Sequence, residues 1–328
     1  MIKWYLFFYV YSTIIKMDKK HIKNVIFLLA TAIIWGIAFV SQRSAATSSM
    51  GAFTFNGIRY LMGGVALIPA VFIFRSIDKK KGVYKDLSLQ EYKTYNINTV
   101  KYGLISGFIL IVASILQQKG IEGMSSGKAG FITALYIIFT PIFGVFFHRK
   151  PSSIIWIAAP LAIIGMFMLC MVGESFVFTK YEVFVLLCSF AFTAHILYLS
   201  HITPKSDVIK LCCIQYLFAG TLSSIAMFIF ETPSIEVIKD CIPQLLYSGL
   251  MSAGLGYTFN ALGQRNFSPT IAAMILCLES PISAIAGWVI LKESLSLVQW
   301  LGCLVMLIAI VIAQIPTNKN KLKQENKD

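Results

Sequence analysis

Two apolar stretches decide the fold, because they are near copies of each other in distant parts of the chain. Residues 58–74 read IRYLMGGVALIPAVFIF, and residues 214–230, 156 positions further on, read IQYLFAGTLSSIAMFIF. Eight of the 17 aligned positions are identical, whereas about two identities are expected between unrelated apolar segments. The chain is therefore predicted to contain an internal repeat whose unit covers about half of its length.

The composition around these stretches is that of a membrane protein. Of the 328 residues, 57% are hydrophobic and 13% are charged, and the mean hydropathy is +0.74. The charged residues separate apolar runs of about 20 residues, the length of a helix that crosses the hydrocarbon core. Because these runs are continuously apolar and lack the alternation of barrel strands, the predicted fold class is all-α integral membrane. Ten transmembrane helices are predicted, at residues 22–41, 52–74, 99–118, 127–147, 153–172, 181–200, 208–230, 243–263, 268–290 and 297–315.

The positive charge is distributed as membrane topology requires. The net charge is +13. Of the 28 Lys and Arg residues, 21 fall on one side of the predicted spans and six on the other, while Arg59 lies within a span. This asymmetry follows the positive-inside rule and predicts that both termini are cytoplasmic. The charge therefore reflects topology and does not indicate a nucleic-acid partner.

The chain divides into two repeat units and two short ends. The units are residues 22–172 and 180–315. The N-terminal segment, 1–21, has an apolar run too short to span a membrane, and Met17 is an alternative start because the first span follows it closely. Residues 316–328 form a basic tail that is predicted to be cytoplasmic.

The repeat also predicts how the two units are oriented. When Pro141 is aligned with Pro281, Trp156 approximately matches Trp300, so each unit is predicted to hold five helices. Since five is an odd number, the second unit enters the membrane in the opposite direction, and the units are inverted repeats. Inverted repeats are typical of secondary transporters, in which a site between the halves faces the two sides in turn.

Several motifs are weak when taken singly but specific in their order and spacing along the chain. They are Trp35-Gly36 with Phe39, Arg59, GKAGFITALYIIFTP at 127–141, SPTIAAMILCLESP at 268–281, Lys292-Glu293 and Trp300-Leu301-Gly302. On these motifs the sequence resembles the drug/metabolite transporter superfamily, specifically its ten-helix EamA-type permeases, over residues 22–315. The resemblance implies a central cavity between the halves and transport of a small molecule, such as an amino acid or another metabolite.

Two charged residues within the spans are candidates for the cavity. Glu279 lies near the middle of the ninth span, where a charge costs at least roughly 2.5–3.5 kcal/mol, so it must face protein or water. It is a candidate proton site or counter-charge for a cationic or zwitterionic substrate, and the alternative is a structural pair with Arg59. Arg59 could instead hold a substrate carboxylate or extend towards the membrane surface.

Other residues within the spans are weaker candidates, because most interhelical polar groups only join neighbouring helices. The further candidates for the cavity lining are Trp35, Asn56, Gln117, Tyr136, His195, Gln215 and Asn260. Pro141 and Pro281 remove backbone hydrogen bonds at matching positions, so they are candidates for helix kinks, with plain bending as the alternative.

The sequence carries no enzyme signature. It has no HExxH, phosphate-loop, Rossmann or GxSxG motif, and its seven cysteines form no CxxC pair. We therefore predict no catalytic residue, no cofactor and no metal site. The predicted function is secondary transport of a small polar metabolite across the cell membrane by alternating access, with or without protons. The alternatives are an intramembrane enzyme acting on lipid-like substrates and a membrane scaffold or sensor.

Overall fold

The structure, a computed structural model, describes residues 19–82, 85, 88–124, 126–146, 151–171, 179–291 and 295–313. Residues 1–18 with Met17, the Lys292-Glu293 motif and the tail at 316–328 lie outside the described residues. Within the described ranges, the long elements are all helices. In the first half they are α1 (Lys19–Thr47), α2 (Ala52–Lys80), α3 (Leu89–Ile121), α4 (Ser126–Thr133), α5 (Tyr136–Phe146) and α6 (Ile155–Cys170). In the second half they are α7 (Lys180–Ile202), a 3-10 turn (Thr203–Lys205), α8 (Val208–Phe230), α9 (Ile235–Asp240), α10 (Ile242–Leu246), a π-helix (Tyr247–Gly256), α11 (Tyr257–Gln264), α12 (Pro269–Leu276), α13 (Glu279–Leu291) and α14 (Leu297–Ala313).

The surface of the bundle is apolar, as expected for a protein solvated by lipid. Phe72, Ile157 and Phe228 expose 63%, 65% and 75% of their surface, respectively. In the described part of the chain, seven helical stretches are long and apolar enough to cross a membrane. The helices α6 and α14 are also apolar but have only 16 and 17 residues. The all-helical, multi-pass membrane fold predicted from the sequence is thus confirmed.

Two of the long helices begin at capping boxes that the sequence encodes. At the start of α3, the Glu91 amide donates to the Ser88 hydroxyl, and the Ser88 amide donates to the Glu91 carboxylate at 2.8 Å. At the start of α7, Thr179 and Glu182 make the same reciprocal arrangement. Each box satisfies amide groups that have no partner within the helix, and so fixes where the helix begins.

Two of the predicted spans are broken helices. Between α4 and α5, the Leu135 amide donates to the Ile132 carbonyl, three residues back. Between α12 and α13, the Leu278 amide donates to the Ile275 carbonyl in the same way. The candidate kink prolines lie in the second piece of each pair, Pro141 within α5 and Pro281 within α13. Each break therefore lies on the N-terminal side of the proline, at the depth of the bundle interior.

A third predicted span, 243–263, changes its helical winding. It consists of α10, a ten-residue π-helix and α11. The π-helix contains three of the chain's glycines, at 249, 254 and 256, and such wide turns occur frequently at functional sites. Its last residue, Gly256, accepts a hydrogen bond from the Thr31 hydroxyl of α1 at 3.1 Å.

The two repeated stretches pack against each other as an antiparallel pair. A Cβ atom added at Gly64 of α2 would lie 2.8 Å from Leu217 Cγ of α8, and one added at Gly220 of α8 would lie 2.8 Å from Leu61 Cγ of α2. Glycine is therefore required at both positions for the backbones to approach this closely. Elsewhere α6 packs against α14, α3 against α7 and α8, and α1 against α11, α13 and the π-helix.

Candidate functional site

A narrow cavity lies between α1, α3, α7, the π-helix, α11 and the two broken helices. The space within it that admits a water molecule is about 30 Å³, enough for one or two waters. Six of the side chains predicted from the sequence line it: Trp35, Gln117, Tyr136, His195, Asn260 and Glu279. A substrate would need the helices to separate or side chains to rotate before it could enter.

Glu279 and Tyr136 are neighbours in the cavity lining. Each is the first residue of the helix that follows a break. The Tyr136 hydroxyl donates to Glu279 Oε1 at 3.0 Å. Each side chain exposes only 3% of its surface. The breaks thus bring a carboxylate of the second half and a phenol of the first half together at the centre of the bundle.

Aromatic rings form one wall of the cavity. The rings of Trp35 and Tyr257 have centroids 4.5 Å apart, and His195 meets Tyr257 edge-on at 6.3 Å. Trp35 lies directly against the end of the π-helix, since a Cβ atom added at Gly256 would lie 2.8 Å from Trp35 Nε1. This wall offers flat apolar surface with polar atoms at its edges.

Three buried polar atoms on residues of the cavity lining have no hydrogen-bond partner within the described structure. They are the donors Trp35 Nε1 and Asn260 Nδ2 and the acceptor Gln42 Oε1. The other amide atom of Asn260, Oδ1, accepts from Gln264 Nε2 at 2.7 Å. Unpaired buried donors and acceptors are costly, and a polar ligand in the cavity could supply the missing partners.

The structure places the candidates Asn56 and Gln215 in hydrogen bonds away from the lining. Asn56 Nδ2 donates to the carbonyl oxygens of Ala52 and Ser114, at 2.8 and 3.3 Å. Gln215 Oε1 accepts from the Ser106 hydroxyl at 2.7 Å and lies 3.4 Å from His195 Nε2. Gln215 therefore supports a cavity residue from behind.

Arg59 is fully buried and separate from Glu279. Its side chain is 1% exposed, and the described ion pairs include none between Arg59 and Glu279. Arg59 Nη2 donates to the Tyr60 hydroxyl at 3.2 Å, and the guanidinium lies over the rings of Phe55 and Tyr60 at 5.2 and 4.7 Å. The pairing that the sequence left open is not formed in this conformation.

Sequence reasoning missed eight residues of the lining. They are Phe39, Gln42, Thr133, Phe192, Ile196, Ser252, Tyr257 and Leu276. Four of these, Phe39, Phe192, Ile196 and Leu276, look like lipid-facing residues in the sequence, and only the helix packing reveals where they point. Gln42 carries a polar group at the edge of an apolar run, a signal that could have been used. Among the described residues, no group of three His, Cys, Asp or Glu side chains is arranged to hold a metal ion.

An apolar helical bundle with a polar cavity at its centre is the architecture of a membrane transporter. The chain matches the EamA-like transporter family twice, over residues 22–171 and 179–314. It belongs to this family, which confirms the resemblance seen in the motifs and makes the protein a membrane transporter with a small-molecule substrate.

One curated relative and one solved structure are similar to this chain. An uncharacterized transporter of Archaeoglobus fulgidus is 26% identical over 298 residues, which cover 88% of this chain and 84% of the relative. A protein of known crystal structure superposes with a TM-score of 0.67 at 14% identity, covering 88% of this chain and 96% of the other. The second likeness concerns the fold alone.

Proposed function

We propose that the protein is a secondary transporter that moves a small polar metabolite, such as an amino acid or a related compound, across the cell membrane by alternating access. The observation that carries the proposal is the buried Glu279 carboxylate, held by Tyr136 in a cavity that both halves of the chain build. A carboxylate in this position can act as a counter-charge for a substrate ammonium group or as a proton site.

Alternating access is supported by signs of inverted repeats. Leu61 and Gly64 correspond to Leu217 and Gly220 at the repeat spacing of 156 residues, and the two pairs make reciprocal contacts across an antiparallel interface. This is the pattern expected beside a two-fold axis in the membrane plane. The two separate family matches also support two units. We propose ten spans in two five-helix units, at 22–172 and 180–315, joined to the short segments at 1–21 and 316–328.

The orientation follows from the charge distribution. With 21 basic residues on one side and six on the other, we place both termini in the cytoplasm. The beginnings of α4 and α7 then lie at the outer face of the membrane, and the beginnings of α1 and α12 lie at the inner face.

The outer end of the cavity is covered by an apolar cluster and an ion pair. Phe39, which lines the cavity, packs in one cluster with Ile121 and Val185. Next to this cluster, at the beginnings of α4 and α7, Lys128 Nζ lies 2.5 Å from Glu182 Oε1, and both side chains are buried. Opening towards the outside would require α4 and α7 to separate here.

Contacts between α1 and the second half cover the inner end. The rings of His21 and Phe267 lie 4.8 Å apart, and Asn24 Nδ2 donates to the Arg265 carbonyl at 2.9 Å. Opening towards the cytoplasm would require these contacts to break. With both ends covered, the conformation suits the occluded intermediate of an alternating-access cycle, in which the two sets of contacts open in turn.

The proposal is tested by measuring flux. Intracellular and medium metabolites are first compared in cells with and without the gene, and the solutes that change are then tested with purified protein in liposomes. A transporter moves the solute unchanged across the vesicle membrane. Appearance of a chemically altered product would favour an intramembrane enzyme, and absence of any flux across the panel would favour a scaffold or sensor.

A further inference from the structure

A path of hydrogen bonds leads from the buried Arg59 to the cavity. Arg59 Nη2 donates to the Tyr60 hydroxyl at 3.2 Å, and the Tyr60 hydroxyl donates to the Tyr257 hydroxyl at 3.3 Å. Of these three residues, only Tyr257 lines the cavity. The guanidinium is therefore connected to the cavity without lining it.

All of these bonds point towards the cavity. A guanidinium group can only donate, so the Tyr60 oxygen must accept from it. The Ser114 hydroxyl, 2.5 Å from the Tyr60 hydroxyl, can donate to the same oxygen. The Tyr60 hydroxyl then donates its hydrogen bond to the Tyr257 oxygen. The Tyr257 hydroxyl is therefore left to donate to a group in the cavity. Aligned hydrogen bonds polarise one another, so the Tyr257 hydroxyl becomes a stronger donor.

The charge of Arg59 also favours an anion at this wall. No carboxylate pairs with Arg59 among the described ion pairs, although its side chain is fully buried. A buried cation without an anionic partner is costly. Asn260 Nδ2 and Trp35 Nε1 are unpaired donors on residues of the cavity lining. Trp35 is in ring contact with Tyr257, and Asn260 lies on the same helix as Tyr257.

We propose that Tyr257, together with Asn260 Nδ2, forms a subsite for a carboxylate group of the substrate, and that Arg59 is a positioning residue that acts on this subsite through Tyr60. The inference rests on the proposed transport function and names the substrate class, a zwitterion or another carboxylate-bearing metabolite. In a zwitterion, the ammonium group would face Glu279 while the carboxylate faces Tyr257.

The experiment compares substrates that differ only in this charge. Wild-type protein in liposomes is given the proteinogenic L-amino acids and, separately, their C-terminal amides, all isotope-labelled, and initial uptake is measured. The wild type is expected to prefer the acids. Tyr257→Phe should lower uptake of the acids roughly ten-fold, the effect of losing a hydrogen bond to a charged group. Tyr60→Phe removes only the polarisation of the Tyr257 hydroxyl and should lower uptake of the acids by a smaller factor. Both variants should leave uptake of the amides nearly unchanged.

The matched control is Tyr216→Phe, which removes a buried hydroxyl from the same aromatic cluster. The Tyr216 ring lies 6.3 Å from both Tyr60 and Tyr257, but its hydroxyl is paired with Thr258 at 3.3 Å and is not part of the path. This variant should keep the wild-type ratio of acid to amide uptake.

Other outcomes would overturn the inference. Equal losses of acids and amides in Tyr257→Phe, unchanged uptake of both, or the same change of ratio in Tyr216→Phe would reduce the path to a structural role while the transport function stands. Uptake of neither probe by the wild-type protein would overturn the proposed substrate class, and the subsite with it. Arg59→Gln should repeat the effect of Tyr60→Phe. If the Arg59→Gln variant does not insert into the membrane, the acid-to-amide uptake ratios of the tyrosine variants test the inference.

Discussion

Gly165 of α6 and Gly302 of α14 face each other backbone to backbone. A Cβ atom added at Gly165 would lie 2.8 Å from the Gly302 carbonyl oxygen, and one added at Gly302 would lie 2.6 Å from the Gly165 carbonyl oxygen. Small residues allow such close approach of membrane helices, where packing replaces the hydrophobic effect as the main attraction. The apolar helices α6 and α14 are thus held together by close backbone contact.

This contact predicts that Gly302→Ala destabilises the protein by about 1–3 kcal/mol, because the clashing atoms are backbone atoms that cannot rotate away. The effect is measured as a lower midpoint of thermal unfolding in detergent. The control is Gly130→Ala, since the nearest atom to a Cβ there is Ser280 Oγ at 3.8 Å. Equal midpoints for the two variants would contradict the prediction.

Replacing Glu279 by Gln is expected to impair transport while leaving the fold intact. The amide keeps the size of the side chain and a partner for the Tyr136 hydroxyl but removes the charge that would face a substrate ammonium or carry a proton. Uptake of the transported solute into liposomes should fall at least about ten-fold. Glu236→Gln, on the exposed helix α9, is the matched control. Wild-type flux in Glu279→Gln, with an unchanged pH dependence, would remove Glu279 from the mechanism.

The sequence could predict residues whose chemistry conflicts with an apolar span. Glu279, Gln117, His195 and Asn260 stand out because a polar group there must find a partner, and the structure brings all four to one cavity. Tyr257 could not be singled out in this way, because a tyrosine near the end of a span is also typical of the membrane interface.

Helix geometry was harder to predict than helix position. The spans at 127–147 and 268–290 read as continuous apolar runs, and their prolines indicated kinks. The breaks occur three to seven residues before Pro141 and Pro281. At the breaks, backbone amides donate to the carbonyl three residues back instead of four. The π-helix at Tyr247–Gly256 has no comparable signal in the sequence.

The Lys128–Glu182 ion pair predicts non-additive mutational effects. Lys128 and Glu182 expose 6% and 4% of their surface, so replacing Lys128 leaves the Glu182 carboxylate buried without its counter-ion. Lys128→Met alone should destabilise the protein by about 3–5 kcal/mol. The double variant Lys128→Met/Glu182→Gln should recover much of that loss, because glutamine keeps the capping box with Thr179. Thermal unfolding of the wild type, Lys128→Met, Glu182→Gln and the double variant measures the coupling, and purely additive effects would show that the pair does not act as a unit.

The proposed topology predicts on which side single cysteines can be labelled. Lys81 follows α2 and Lys239 lies on α9, and both are exposed, whereas the seven native cysteines are buried. Eight predicted spans, an even number, lie between Lys81 and Asn318. Lys81→Cys and Asn318→Cys should therefore both react with a membrane-impermeant maleimide only from the cytoplasmic side. Five predicted spans, an odd number, lie between Lys81 and Lys239, so Lys239→Cys should react only from the outside. Intact and inside-out vesicles give the two readings, and permeabilised vesicles serve as the labelling control. If Lys81→Cys and Asn318→Cys were labelled from opposite sides, the number of spans between them would be odd, and two inverted five-helix units could not form.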